Sequence, residues 1–396
     1  MDHRRALRRI LDAALAAVNG RRAVARTLAA TPNEGPVHVV AIGKAAGAML
    51  AGAGETRQVE RGLLITKQGH APDDARRWPG VEVIESGHPV PDGDSLRAGR
   101  ALLDFLARTP PGARLLFLIS GGASSLVEVL PDHLSLKDLQ KANDWLLGSG
   151  LDIQAMNAVR RRLSRIKGGQ LRRFLDDRPT RCLLISDVPG DDPAVIGSGL
   201  LVAPSTETLP ALPGWLSELI REPGMTDVAD VTVEVIACNA DARSAARDEA
   251  RRLGYPVVLH DEAITGDALA ATQRLLAEAC SGVTIWGGET TLDLPTHPGR
   301  GGRNQSMALA AARSIDGRPG TWFLAAGTDG TDGPTDDAGA LVDGETVNRG
   351  KEAGLDAADC LERADAGRFL AASGDLIRTG PTGTNVMDLY LVLNAP

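Results

Sequence analysis

Three loops in the C-terminal part of the chain hold the residue types best suited to chemistry. Gly287-Gly288-Glu289-Thr290-Thr291 is followed by Gly299-Arg300-Gly301-Gly302-Arg303-Asn304-Gln305, and then by Gly327-Thr328-Asp329-Gly330-Thr331-Asp332-Gly333-Pro334-Thr335-Asp336-Asp337. Glycine lets backbone N–H groups come close to a ligand, and successive N–H groups in such turns form anion-binding nests. Arg300 and Arg303 offer planar cationic forks for phosphate or carboxylate. Asp329, Asp332 and Asp336 supply the hard oxygens that Mg²⁺ prefers. Together these are the parts needed to handle a polyphosphate with a metal. Gly and Asp are also the commonest turn residues, so one such loop alone would pass for a solvated turn. Three in succession, each behind an apolar run, point to a site.

The N-terminal half adds a second set. Lys44 follows the apolar run Val37–Ile42, at the start of a helical stretch, where a cation asks for a compensating anion. The segment is not a Walker A loop, which needs G-x-x-x-x-G-K-[ST]. Ser120-Gly121-Gly122-Ala123-Ser124-Ser125 closes the apolar run 115–119 with hydroxyls and small residues, a composition suited to anion binding. It lacks the G-x-S-x-G spacing of a nucleophile elbow. Asp187 and Asp191 bracket Val188-Pro189-Gly190 after another apolar run, and either carboxylate could orient or deprotonate a hydroxyl. Asn157 and Arg160 stand in a cation-rich helical stretch, some of whose charges must be plain solvated ones. Ser86 and His88 lie in a loop stiffened by Pro89 and Pro91.

The elements that must position these residues alternate between short apolar runs and amphipathic stretches. Runs at 37–42, 63–66, 81–84, 115–119 and 182–185 read as strands, and 4–28, 94–106, 135–148 and 152–176 as helices. That alternation predicts a parallel three-layer α/β sheet, in which ligands bind beyond the carboxyl ends of the strands. Residues 203–228, with four prolines and weak periodicity, read as a domain boundary. A second series follows, with strands at 231–237, 256–259, 283–286, 321–326 and 389–393 and helices at 241–253, 266–280 and 305–315. The expected division is therefore 1–228 and 229–396.

The bulk properties narrow the function classes. A length of 396 residues favours two domains. Aromatic residues make up only 3%, too few for base-stacking platforms, and a formal charge of −8 disfavours nucleic acid or an anionic membrane as partner. The four cysteines are widely spaced, so neither a zinc site nor a redox pair is indicated, and reduced thiols in a cytoplasmic protein are expected. No apolar run has the length of a membrane helix. The opening Met1-Asp2-His3-Arg4-Arg5 leads into an amphipathic stretch rather than a secretory signal. The oligomeric state is not set by these features; a homodimer is one option.

Taken in order, the motifs resemble the class II glycerate kinases, the glycerate 2-kinase family whose C-terminal part is known as the MOFRL domain. The resemblance rests on Ala41–Ala45, Ser86–Asp92, Ser120–Ser124 and Ser186–Asp191 in the first half. In the second half it rests on Gly287–Thr291, Gly301–Gln305, Ala326–Gly333 and Thr384–Leu389. It implies ATP-dependent phosphorylation of D-glycerate to 2-phosphoglycerate. It also implies an N-terminal Rossmann-like domain and a smaller C-terminal α/β domain, with the active site in the cleft between them. Lys44, Asp187 and Arg303 match the family's charged residues. Expected roles follow: substrate and phosphate binding by Ser86, His88, Ser120, Gly121, Gly122, Ser124, Asn157, Arg160, Asp191, Gly288, Glu289, Thr290 and Asn304. Asp329, Asp332 and Asp336 are the expected Mg²⁺ ligands. Two rivals are a hydroxypyruvate reductase, which would need a nicotinamide site although G-x-G-x-x-G is absent, and a non-catalytic sugar-acid binding protein.

Overall fold

The computed structural model describes residues 2–32, 35–203, 208–220 and 229–395. The chain divides into two compact units, Gly20–Ile236 and Met1–Asn19 with Ala237–Pro396. Both ends of the division therefore differ from the expected 1–228 and 229–396. The first helix belongs to the C-terminal unit, and the strand at 231–237 belongs to the N-terminal one.

The Gly20–Ile236 unit is built on β1 (Val37–Ile42), β2 (Val59–Lys67), β3 (Val81–Ser86), β4 (Arg114–Ile119), β5 (Thr180–Ile185) and β6 (Val231–Ala237). Their order in the sheet is β3-β2-β1-β4-β5-β6. The pairings of β1 with β2 and β4, of β2 with β3 and of β4 with β5 are all parallel. This is the doubly wound order, whose topological switch point falls between β1 and β4. Every residue of β1 is buried, so both faces of the sheet are covered, as the near-continuous apolar runs predicted. Val40, Ile42, Leu63 and Ile65 pack against Ala98, Leu102 and Phe105 of the helix Gly93–Ala107.

Between β4 and β5 the chain makes an excursion. The helices Leu136–Gly148 and Ile153–Arg162 pack with Leu209, Leu212, Trp215 and Leu216 into a separate small core. Of the expected boundary 203–228, residues 204–207 and 221–228 lie outside the described residues. The stretch 208–220 is packed structure rather than linker. The helix expected over 152–176 stops at Arg162; beyond it the Arg165 N–H donates to the Val129 carbonyl at 2.8 Å, outside any helical ladder, and Gly168 and Gly169 adopt left-handed backbone angles that keep the helix from resuming. Likewise 4–28 is two helices, His3–Ala17 and Gly20–Ala29.

The other unit carries a mixed sheet of β7 (Val257–Ile264), β8 (Gly282–Gly288), β9 (Thr321–Gly327), β10 (Gly339–Asp343), β11 (Leu376–Ile377) and β12 (Asp388–Asn394). The order is β11-β10-β9-β12-β8-β7. Only β7 and β8 pair in parallel; the remaining pairings are antiparallel. The late strand β12 sits between β8 and β9, with Asp388 opposite Gly288 on one side and Gly327 on the other. The helix His3–Ala17 is capped by the Asp2 side chain and buries Leu7, Ile10 and Leu11. Its Arg4 pairs with Asp343 and Asp375, and its Arg9 with Glu249, all within this unit.

Candidate active-site residues

In the Gly20–Ile236 unit the turns after β1 and β4 close on each other at the switch point. The Lys44 backbone N–H donates to the Gly121 carbonyl at 2.9 Å, and the Ala45 N–H to Ser120 Oγ at 3.0 Å. The approach is so close that a Cβ on Gly43 would lie 2.2 Å from Ser120 Oγ, and Gly43 also has φ +129°. Only glycine fits there. The same turns gather two of the expected residues around Gly122. A Cβ there would meet the His88 ring at 3.1 Å and Lys44 Cγ at 3.4 Å. Ser124 is half-buried, with its hydroxyl 2.7 Å from that of Ser198. Asp187 and Asp191, both half-buried, follow β5 at the same edge of the sheet, Asp191 with φ +54°.

Two expected contributors to this cluster are turned inward. Ser86 and Ser120 are fully buried; Ser86 donates to the Leu126 carbonyl at 2.7 Å, and Ser120 accepts from the Ala45 N–H. Ser120 thus ties the turns after β1 and β4 together, and Ser86 ties the end of β3 to the short helix Ala123–Leu126. In the small core of the excursion, the Arg160 guanidinium donates to Asn143 Oδ1 at 3.0 Å and to Asn157 Oδ1 at 3.3 Å. Burial lowers its pKa. Two neutral amides therefore hold a largely desolvated cation, an arrangement that favours an incoming anion.

In the C-terminal unit, Arg303 is the first residue of the helix Arg303–Ser314. Its Nε donates to Asp388 Oδ2 at 2.6 Å and its Nη2 to Asp388 Oδ1 at 3.1 Å, while Nη1 lies 2.9 Å from Glu289 Oε1. Burial opposes the charge on Arg303, but the carboxylates of Asp388 and Glu289 more than offset it and raise its pKa. The Tyr390 hydroxyl adds a bond to Asp388 Oδ2 at 3.1 Å. Asn239, pressed against Gly287, donates to the carbonyls of Val386 and Asp388 and so fixes where β12 begins. Asp388 and Asn239 escaped the sequence reading. The signal for Asp388 was there: a charged residue heading an otherwise apolar strand, inside the Thr384–Leu389 motif.

The acidic loop departs from its expected role. Asp332 is buried and takes the backbone N–H groups of Asn304 and Gln305 at 3.0 and 2.8 Å, capping the helix that begins with Arg303. Burial pushes its pKa up to about 6, against those two bonds. Asp329 closes a local turn onto Thr331, and Asp336 is exposed. Asp337, which carried no expected role, is buried and binds Arg300 and Arg378 at 2.8 Å each. Among the described residues no group of three or more His, Cys, Asp or Glu side chains is arranged to hold a metal ion. Asp329, Asp332 and Asp336 are therefore not gathered into a three-carboxylate Mg²⁺ site of the protein's own. Sequence spacing could not reveal that Asp332 spends both oxygens on a helix nearly thirty residues earlier. Of the remaining expected residues, Thr290 and Asn304 are buried, Asn304 beside Asp332. Gly288 has φ +152° and lies so near β7 that a Cβ would sit 2.1 Å from the Ile264 carbonyl.

Comparison with known proteins agrees along nearly the full chain. Residues 6–213 match a family described as a domain of unknown function (DUF4147), and residues 282–388 match the MOFRL family. A protein of Agrobacterium vitis with a provisional hydroxypyruvate reductase name is 36% identical, over 98% of this chain and 94% of its own. A glycerate 2-kinase of Pyrococcus horikoshii is 34% identical, over 91% of this chain and 88% of its own. The crystal structure of a glycerate kinase from Thermotoga maritima superposes with a TM-score of 0.83 at 32% identity, covering 99% of both chains. The chain thus belongs to the family of glycerate 2-kinases, the class II glycerate kinases with a MOFRL C-terminal part.

Proposed function

We propose that this protein transfers the terminal phosphoryl group of ATP to the 2-hydroxyl of D-glycerate, giving 2-phosphoglycerate and ADP. The observation that carries the reading is Arg303, a cation fixed by a buried carboxylate at the mouth of a glycine-rich loop. Phosphoryl transfer is mostly positioning and charge neutralisation, and a guanidinium fork suits both a carboxylate and a phosphoryl group. In this reading Arg303 receives an anionic group of a reactant. Lys44 offsets charge on the phosphoryl oxygens, Asp187 accepts the proton of the 2-hydroxyl, and Arg160 with Asn157 takes a further anionic group. His88 borders the turn after β4 and orients the acceptor. The acidic loop does not fit a resident Mg²⁺ site, so no step is assigned to that ion; Mg²⁺ ordinarily keeps several waters and is shared with substrate phosphates.

A dehydrogenase fits the turn after β1 poorly. The N–H groups of Gly43, Lys44, Ala45 and Ala46 are all spent inside the protein, on Ile65 O, Gly121 O, Ser120 Oγ and Gly43 O. A dinucleotide pyrophosphate would need such donors at the first strand–helix turn.

The test is a phosphoryl-transfer assay with D-glycerate, ATP and Mg²⁺ in which the 2- and 3-phosphoglycerate products are resolved. Formation of 2-phosphoglycerate is expected. The 3-isomer would keep the kinase and overturn the regiochemistry, and NAD(P)H oxidation with hydroxypyruvate in place of transfer would favour the reductase.

A further inference from the structure

Arg303 meets two carboxylates of different character. Asp388 is 1% exposed and lies at the start of the central strand β12, flanked by Gly288 and Gly327. It takes the Nε–Nη2 edge with both oxygens. Glu289 is 44% exposed, sits one residue beyond β8, and meets Arg303 at Nη1. A guanidinium carries five N–H donors in a fixed fork. Asp388 uses two of them in the two-point geometry that makes such pairs strong, and Glu289 engages the other side with one oxygen. The first contact is built into the sheet; the second is carried by a side chain in a loop.

We infer that Glu289 is an exchangeable carboxylate that occupies the outer side of Arg303 and is displaced there by an anionic group of the incoming reactant. Asp388 stays in place through the exchange and is a positioning residue. The inference rests on the reading that Arg303 receives such a group. The balance of strengths favours the exchange. An ion pair as exposed as Glu289–Arg303 holds its partners by a factor of only about one to five, whereas a carboxylate or phosphoryl group approaching the open edge can bind at two points. Anions that cannot make two contacts, such as chloride, gain little by displacing Glu289. The arrangement therefore selects for the planar or tetrahedral oxyanions that a kinase handles.

The experiment titrates inorganic phosphate, and separately D-glycerate, into the wild-type protein, Glu289→Gln, Glu289→Ala and the double variant Arg303→Met/Glu289→Gln by calorimetry at low ionic strength. Thermal melts verify folding, and turnover of D-glycerate by the wild type is measured in parallel. Both single variants are expected to bind phosphate or glycerate roughly two- to five-fold more tightly than the wild type. That gain should shrink as salt is raised and disappear in the double variant. Equal or weaker binding by both single variants, or no binding by any of the proteins, overturns the inference, as does a gain that survives loss of Arg303. Absence of wild-type turnover overturns the kinase reading alone, because the phosphate titration judges Glu289 independently.

Discussion

At the scale of single residues, Asp388, eighty-five positions beyond Arg303, holds the inner edge of its guanidinium with both carboxylate oxygens. That two-point contact defines a sharp prediction. Arg303→Lys keeps the charge but cannot span two oxygens, so kcat/KM should fall by about 10²-fold or more with folding intact; steady-state kinetics decides. Asp332 makes a different one. A carboxyl whose pKa is about 6 when folded and about 3.9 when unfolded binds its proton more readily in the folded state. Its ionisation thus weakens folding progressively as pH rises from about 4 through 6, by an amount on the order of 2–3 kcal/mol. Unfolding free energies of wild type and Asp332→Asn, from denaturant titrations across pH 4–7, should diverge by that contribution, the wild type losing stability relative to the variant as pH rises. The same residue shows where reading by residue type fails: an Asp in a Gly-rich loop has the same appearance whether it meets a metal or a helix end. Ser86 and Ser120 repeat the lesson, since their hydroxyls were expected to face a ligand and instead bond backbone.

Among the elements, the strongly patterned ones were readable and the short ones were not. β1, β4 and β5 carry continuous apolar runs, and they lie close to where periodicity placed them. β10 and β11 escaped notice because strands of five and two residues, paired antiparallel, leave little pattern. The excursion between β4 and β5 is fastened by a contact that no periodicity encodes. Buried Lys167 pairs with buried Glu128, whose other oxygen accepts from Ser164. The pair joins the residues just before the excursion to those just after it, across the mouth of a loop that carries Arg160. Removing one charge leaves the other stranded in a low-dielectric interior, so Lys167→Met should lower unfolding stability by about 3–5 kcal/mol. Glu128→Leu combined with Lys167→Met should recover much of that loss. Urea unfolding of the two variants is the measurement, and equal losses in both would argue that the charges are not what matters.

Across the whole molecule, the sequence signalled two α/β units but not that one of them is discontinuous. An amphipathic opening helix gives no sign of which core it will join; that is decided by Arg4 meeting Asp343 and Asp375, and by His3 beside Tyr255 and Trp322. Leu7, Ile10 and Leu11 are fully buried. Burying three such side chains contributes about 5–9 kcal/mol, comparable with the entire net stability of a domain. Residues 20–236 expressed alone should therefore melt cooperatively, whereas 237–396 should not unless a peptide of residues 2–19 is supplied; calorimetry on the fragments tests both. The opening helix also sets a schedule for synthesis. It leaves the ribosome well before its partners Glu249, Asp343 and Asp375, which come from the far side of the intervening unit. At translation rates of roughly 5–20 residues per second, an unpaired apolar stripe must wait tens of seconds for its seat. In a living cell, residues 2–19 spend that interval with their apolar stripe exposed, where a chaperone can hold them.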